Sequence, residues 1–357
     1  MTKVQNIDEN SNSEKDTEIV LTLDAVKKDV LKINSNVGLF KIQSANEWIN
    51  QAGKKPIQKM LCDVLWFENE LCILFADTNI GKSILAVQIG ESIASGKPIN
   101  GLRIETDPQT VLYLDFELSD RQFRKRYISD TEPITEYQFS DNFNRAEIDV
   151  DCEIPTAFND FETYLIHSIE LLIVTSNSKI LIIDNLTYLR NNNEKASDAL
   201  PLMKHLKKLK TKYDLSILVL AHTPKRESSK PLSKNDLSGS KMLINFCDCS
   251  FAIGESFQDK SLRYIKQIKV RNAECVFDSE NVFVSEIGKK DSFLGFDFLR
   301  YDREKVHLRE ISNEEVNEID DKVVELKTKG ISNYAIAKEL KINAMRVQRI
   351  LKKQKAS

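Results

Sequence analysis

The octapeptide Ala76-Asp-Thr-Asn-Ile-Gly-Lys-Ser83 constrains this chain more than any other segment. It directly follows the apolar run Leu71-Cys-Ile-Leu-Phe75 and opens a helical stretch from Ser83 to Ser95. The pattern is G-x-x-x-x-G-K-[ST] with Ala76 in the place of the first Gly, a change that adds one methyl group. Between a buried strand and a helix, Gly81 lets the backbone turn tightly, so successive N–H groups and the helix N-terminus point at phosphate oxygens. Lys82 supplies a compact charge for the β- and γ-phosphates, and the Ser83 hydroxyl suits Mg²⁺. Asp77, Thr78, Asn79 and Ile80 complete the loop. Residues 76–83 therefore read as a site for ATP and Mg²⁺; the competing reading is a chance G-K-S at a helix start. The chain has only 11 glycines in 357 residues, so one standing before this lysine is informative.

Three more apolar runs of strand length follow: Val111–Asp115, Lys179–Ile183 and Leu215–Leu220. They are continuously apolar rather than alternating, as strands buried on both faces of a parallel sheet are. Helical stretches lie between them, at Asp120–Ile128, Phe158–Leu172 and Ser197–Lys212. The alternation predicts an α/β domain with a parallel sheet. Beyond Ser250, the segments Phe251–Ile253, Arg263–Val270 and Asn281–Val284 read as antiparallel strands. The expected organisation is a polar, partly disordered tail over 1–40, a nucleotide-binding domain over 41–290, a linker over 291–315 and a helical module over 316–357. Ser44 with Glu47 predicts a capped helix start near the head of that domain.

Composition excludes several classes. Hydrophobic residues make up 41% and charged residues 29%, which argues against a membrane protein and against wholesale disorder. The N-terminus has no apolar core of a signal peptide, and no run approaches a membrane span, so a cytoplasmic location is expected. The six cysteines form no C-x-x-C pair and read as free thiols rather than as a zinc site. A net charge of -3 conceals an uneven distribution. Residues 1–30 carry seven acids and four lysines, whereas 321–357 carry ten Lys/Arg and three acids. The total therefore does not exclude a nucleic-acid partner.

Two carboxylates fall where such a site needs them. Asp184 ends the strand Lys179–Ile183, the position of a carboxylate that holds Mg²⁺ through water. Glu117 lies just past the second strand at the carboxyl edge of the sheet, where parallel α/β domains build their sites. It is the first candidate for polarising the attacking water, and Asp115 the second. The plain alternative for Glu117 is a solvated cap on the following helix.

These segments resemble RecA-fold hexameric helicases, particularly the DnaB-type replicative and RepA-type plasmid helicases, and AAA-labelled ATPases of bacterial mobile elements. The resemblance covers roughly Ile42 to Ile287. It rests on Leu114–Arg124, on Ile180-Leu-Ile-Ile-Asp-Asn-Leu-Thr-Tyr-Leu189, on Leu218-Val-Leu-Ala-His222 and on Gln267-Ile-Lys-Val-Arg-Asn272. It implies a RecA-like P-loop NTPase core with a central parallel sheet and C-terminal antiparallel strands. It further implies that His222 senses the γ-phosphate, and that Lys269 and Arg271 reach the γ-phosphate bound by the next subunit of a homo-oligomer, a hexamer in that family. The loop Thr223–Lys241, with Lys225, Arg226, Lys230 and Lys234, is basic with few aromatics and suits contact with a DNA phosphate backbone. Its end, Asp236-Leu-Ser-Gly-Ser-Lys241, is similar to the family's stretch after its DNA-binding loop; a solvated loop is the competing reading. Ala76 and the missing helicase N-terminal domain depart from the family pattern and put strand unwinding in doubt.

From Asp321 onward the chain is similar to a resolvase-type helix-turn-helix. A helix stops at Gly330, Ser332 caps a short helix to Leu340, and a third spans Ala344–Lys353. Asn343, Arg346 and Arg349 on the last would face a major groove; a plain three-helix packing module is the competing reading. The expected function is a Mg²⁺-dependent ATPase acting on DNA in replication or mobilisation of a mobile element. The alternatives are a regulatory or recombination ATPase assembling on DNA, and an ATP-responsive transcriptional regulator.

Overall fold

The computed structural model describes residues 35–149, 151–185, 199–224, 226–237, 240–310, 313–340, 342 and 344–355. Of the polar tail expected over 1–40, residues 1–34 lie outside them, and 35–40 belong to a hairpin. The chain divides into two units, Met1–Gln58 and Lys59–Ser357. In the first, strands β1 (Ser35–Val37) and β2 (Phe40–Ile42) form a hairpin, followed by helix α1 (Ala45–Gly53). Ser44 caps that helix, its Oγ accepting from the Glu47 amide at 3.2 Å.

The second unit begins with a small ribbon of β3 (Met60–Cys62) and β4 (Trp66–Phe67). Its strands β5 (Leu71–Ala76), β6 (Val111–Asp115), β7 (Phe143–Ala146), β8 (Ile180–Asp184), β9 (Ser216–His222) and β10 (Cys249–Glu255) are all parallel. Strands β11 (Leu262–Lys269), β12 (Val282–Lys290) and β13 (Phe293–Asp302) continue the sheet antiparallel. The order among the described residues is β13-β12-β11-β10-β5-β9-β8-β6-β7. Sequence neighbours β5 and β6 are separated by β9 and β8, the crossover that leaves a crevice at the carboxyl edge of a parallel sheet.

Both faces of the sheet are covered, which is why its central strands read as unbroken apolar runs. Along β5, Cys72, Leu74 and Ala76 face one core with Leu85, Ile89 and Ile93 of helix α2 (Lys82–Ser95). Leu71, Ile73 and Phe75 face the other, with Ile169 and Ile173 of helix α4 (Phe161–Ser176) and Leu202, Leu206 and Leu209 of helix α5 (Ala199–Tyr213). The short helices α3 (Asp120–Arg126) and α6 (Ser240–Phe246) follow β6 and precede β10. Asp160 starts α4, accepting the Thr163 amide at 2.7 Å, three residues later than the periodicity suggests.

Two expectations are corrected. The segment at Phe251 is antiparallel only toward β11; toward β5 it is parallel, so it belongs to the buried half of the sheet. The stretch from 291, read as linker, contains the ten-residue strand β13. Phe296 and Phe298, on either side of Asp297, pack on the core as one face of the edge strand, and the turn at Asp291 (φ +52°) closes the hairpin with β12. A one-turn helix, Glu304–His307, follows, with both terminal side chains buried.

The C-terminal helices are α7 (Asn313–Thr328), α8 (Asn333–Glu339) and α9 (Ala344–Lys355). Val323, Ile336, Ala337, Val347 and Ile350 form their core. Gly330 at φ +81° ends the first, and Ser332 caps the second through the Ala335 amide at 3.2 Å.

Candidate nucleotide site

The register of the sheet brings the predicted residues to one edge. Asp115 at the end of β6 is level with Asp184 at the end of β8, and Ala76 at the end of β5 is level with His222 at the end of β9. Between them opens a cleft of about 480 Å³ lined by Thr78, Asn79, Gly81, Lys82, Ser83, Ile84, Glu117, Arg126 and His222.

Gly81 stands at φ +107° ahead of α2. That torsion demands glycine, and a Cβ there would also lie 2.7 Å from Ile287 Cδ1 and 3.0 Å from Phe296 Cζ and push those side-chain tips aside. Ala76 needs no such freedom: it is the buried last residue of β5, in extended pairing with β9. That explains why the first glycine of the pattern can be replaced here. Lys82 Nζ donates to the carbonyls of Ala76 at 3.2 Å and Asp77 at 2.8 Å. Burial lowers the Lys82 ammonium below its ordinary value, with Asp184, Glu117 and Asp77 opposing.

Asp184 is buried, and burial pushes its carboxyl up to about 6, against the Ser83 and Tyr113 hydroxyls. Tyr113 donates to Asp184 Oδ2 at 2.6 Å, whereas Oδ1 is buried without a hydrogen-bond partner among the described residues. Asp115 is otherwise engaged: its Oδ1 accepts the Glu117 and Leu118 amides at 3.1 and 3.0 Å, and its Oδ2 accepts Arg145 Nε at 2.9 Å. Those bonds shape the turn that presents Glu117 to the cleft. Glu117 Oε1 accepts from Asn185 Nδ2 and lies 3.4 Å from His222 Nε2, which in turn is 3.0 Å from Asn185 Nδ2. The His222 contact holds the Glu117 carboxyl below its usual range, with burial opposing.

Tyr113, Asn185 and Arg126 are members of this site that the sequence does not announce. Tyr113 sits two residues before Asp115 inside an apolar run, and Arg126 ends α3. Arg126 Nη1 is buried without a hydrogen-bond partner among the described residues. The fit to a metal–nucleotide complex follows from these orphans. The buried acceptor on Asp184 suits a hydrated Mg²⁺, and the buried donor on Arg126 suits a phosphoryl oxygen.

Lys269 and Arg271 are not brought to this cleft. Strand β11 runs against β10, so Lys269 pairs opposite Ser250, level with Ile73 and three residues back along β5 from Ala76. Arg271 lies further away, bonded to Asp248 beside Leu71, which is five strand steps or roughly 17 Å from Ala76. Lys269 Nζ donates to the Ile244 and Cys247 carbonyls at 2.5 and 2.6 Å, satisfying the end of α6, where a cation also complements the helix dipole. Within its own chain the Lys269 ammonium is thus occupied by these two carbonyls. Arg271 remains 48% exposed and pairs with Asp248 at 3.0 Å.

The basic loop is more ordered than its composition suggests. Arg226 is turned inward, with its side chain 14% exposed, donating to the Lys230 carbonyl and facing Asp236 at 3.6 Å. This corrects it as a free backbone contact, because those partners neutralise and bury it. Lys230, paired with Glu227 at 2.6 Å, and Lys234 are exposed; Lys225 lies outside the described residues. Leu232 anchors the loop: its N–H donates to Glu304 Oε1 at 2.6 Å and its carbonyl accepts Lys266 Nζ at 2.8 Å. On α9, Arg349 is exposed, while Asn343 and the Arg346 side chain lie outside the described ones.

Comparison with known proteins agrees with this geometry. Residues 40–228, more than half of the chain, match the AAA domain family AAA_25. The chain belongs to this family. It is a RecA-like P-loop ATPase in fold, and the family implies nucleotide binding. The chain is also similar to the KaiC-like protein PH0186 of the hyperthermophilic archaeon Pyrococcus horikoshii OT3, at 13% identity and a TM-score of 0.44, over 65% of this chain and 90% of that one. No curated protein matches. Among the described residues, no helix of this family member is long and apolar enough to cross a membrane.

Proposed function

We propose that the protein is a Mg²⁺-dependent ATPase that works as a ring or filament on DNA, in replication or mobilisation of a mobile element. The observation that carries this reading is the division of its charged residues between two edges of one sheet. Lys82, Ser83, Glu117 and His222 line the cleft with the buried Asp184 at the same sheet edge, while the exposed Arg271 lies at the other end of β5, beyond reach of it.

In the proposed cycle the loop amides and Lys82 hold the phosphates, and the Ser83 hydroxyl with Asp184 would hold Mg²⁺. Bound Mg²⁺ supplies charge neutralisation on the β- and γ-oxygens. Glu117, ionised and fixed by Asn185 and His222, orients the attacking water and accepts its proton. His222 links that carboxylate to the end of β9 and so to the loop behind it. Arg271 of an adjacent copy completes the site, which makes the assembly head-to-tail. The basic helix α9 would hold duplex DNA, weakly as one module and strongly as several on one assembly.

The inward turn of Arg226 favours a second reading, a regulatory or recombination ATPase that assembles on duplex DNA without displacing a strand. Only Lys230 and Lys234 of its four predicted cations are exposed among the described residues. ATPase rate with and without single-stranded and duplex DNA, with particle mass in the same sample, tests both. DNA-stimulated turnover by an oligomer is expected, abolished by Lys82→Ala. A DNA-indifferent monomer overturns both readings. Strand displacement selects the helicase; its absence in a DNA-stimulated oligomer selects the regulatory ATPase.

A further inference from the structure

Arg271 is held in its own chain by a carboxylate that is itself fixed from several sides. Asp248 Oδ1 meets Arg271 Nη1 at 3.0 Å. Its Oδ2 accepts the Leu71 amide at 3.0 Å and Lys210 Nζ at 2.7 Å, and Lys210 also donates to the Asn69 carbonyl at 2.7 Å. The Asp248 amide returns a bond to the Leu71 carbonyl at 2.8 Å. Asp248 is thus tied to the first residue of β5 and to α5. Burial pushes its carboxyl up, but the Leu71 amide, Lys210 and Arg271 together hold it below the ordinary range. The next residues of the motif are fixed too, Lys269 on α6 and Asn272 on Glu70 Oε1 at 2.7 Å.

Arg271 is the exception in this cluster. One nitrogen is bonded to the carboxylate, Nη2 has only a 3.5 Å approach to the Asn245 carbonyl, and half of the side chain is open. A lone surface ion pair contributes little to stability. A carboxylate anchored to the central sheet has a different use, because it fixes where a long side chain ends. An arginine that must meet phosphoryl oxygens on another molecule otherwise loses several rotamers at that moment, and holding it beforehand removes that cost.

We propose that Asp248 is a positioning residue: it holds Arg271 with its open face outward, ready for the γ-phosphoryl group bound by an adjacent copy. This rests on the shared-site reading above. Because Asp248 is bonded to Leu71 and the same strand ends at Ala76, the arginine offered to a neighbour and the chain's own phosphate loop are set on one rigid element.

The test compares steady-state ATPase of the full-length oligomer with those of Asp248→Asn, Asp248→Glu, Lys210→Met, Arg271→Ala and the Asp248→Asn/Arg271→Ala pair. Asp248→Asn should lower kcat on the order of tenfold, the worth of one charge-assisted bond, with KM for ATP unchanged. Asp248→Glu, which keeps the charge one methylene further out, should fall between it and wild type. Lys210→Met removes one anchor of the same carboxylate but leaves the Leu71 amide and the Arg271 pair, and should lower kcat less than Asp248→Asn does. In the double variant, Asp248→Asn should add less than about twofold to Arg271→Ala. A normal rate for Asp248→Asn beside a slow Arg271→Ala overturns this inference alone, as do losses that multiply in the double variant. A normal rate for Arg271→Ala overturns the shared site and this inference with it. Should Asp248→Asn not fold, Asp248→Glu decides: a kcat equal to wild type overturns the proposal.

Discussion

Glu304 is the residue whose loss should be felt furthest. Its side chain is fully buried and accepts Lys266 Nζ at 2.6 Å, Ser279 Oγ at 2.9 Å and the Leu232 amide at 2.6 Å. Lys266 is 10% exposed and donates also to the Leu232 carbonyl and Ser279 Oγ. Glu304→Gln keeps an acceptor for Leu232 but turns an amide N–H₂ toward an ammonium and a hydroxyl. It leaves Lys266 charged, buried and unpaired, at a cost of about 3–5 kcal/mol. Set against a typical total of about 5–15 kcal/mol, that is a large fraction. Urea unfolding followed by tryptophan fluorescence should show the loss, and hydrogen exchange at the Leu232 amide should accelerate with it. Lys266→Met added to Glu304→Gln should recover more than half, since no buried charge then remains. A loss below about 1 kcal/mol, the level of an exposed pair, or a double variant no better than the single, refutes the reasoning.

Three other outcomes follow from the site and its surroundings. Glu117→Gln should bind ATP normally and stall hydrolysis in single-turnover assays, whereas Asp115→Asn should lower folding stability as well, because Asp115 holds Arg145 and the turn; equal behaviour of the two refutes the division of roles. Tyr113→Phe removes one hydroxyl from Asp184 without changing shape, and should raise the Mg²⁺ concentration for half-maximal ATPase about tenfold while sparing the rate at saturating Mg²⁺. His307 is buried, and burial holds its imidazole below the ordinary value, with Asp302 opposing. The unfolded chain takes up that proton near pH 6.5 and the folded chain only lower, so the contribution is complete above about pH 6.5 and lost as pH falls through the folded value. The urea midpoint should drop between pH 7 and pH 5, and His307→Gln should flatten that drop.

What the sequence reveals and what it hides have physical causes. Strands β5, β6, β8 and β9 are legible because burial on both faces requires apolar residues at every position, and a polar residue at such a strand's end then marks the site edge. Asp184 and His222 were visible for that reason. Strand β7, Phe143-Asn-Arg-Ala146, is hidden because it is short and pairs on one side only, with β6. Tyr113 looks like one more core residue until β6 and β8 are set side by side, and only then does its hydroxyl meet Asp184. The partners of Arg226 and Lys269 are hidden for the converse reason. A cation in a loop or at a strand end reads as available, and only the fold shows a carbonyl, or a carboxylate such as Asp236, waiting for it.

The contact of Ile287 and Phe296 with Gly81 has a consequence for how this protein can be divided. The stretch that matches the family ends at residue 228, yet the chain beyond it supplies β10, which covers one side of β5, and the hairpin that presses on the phosphate loop. A fragment cut at that boundary would leave the most apolar strand of the sheet as an open edge, a template for aggregation. It would also take away the surface against which Gly81 turns. The smallest piece that can be expected to bind nucleotide runs past Asp302, so homology boundaries and folding boundaries do not coincide in this chain.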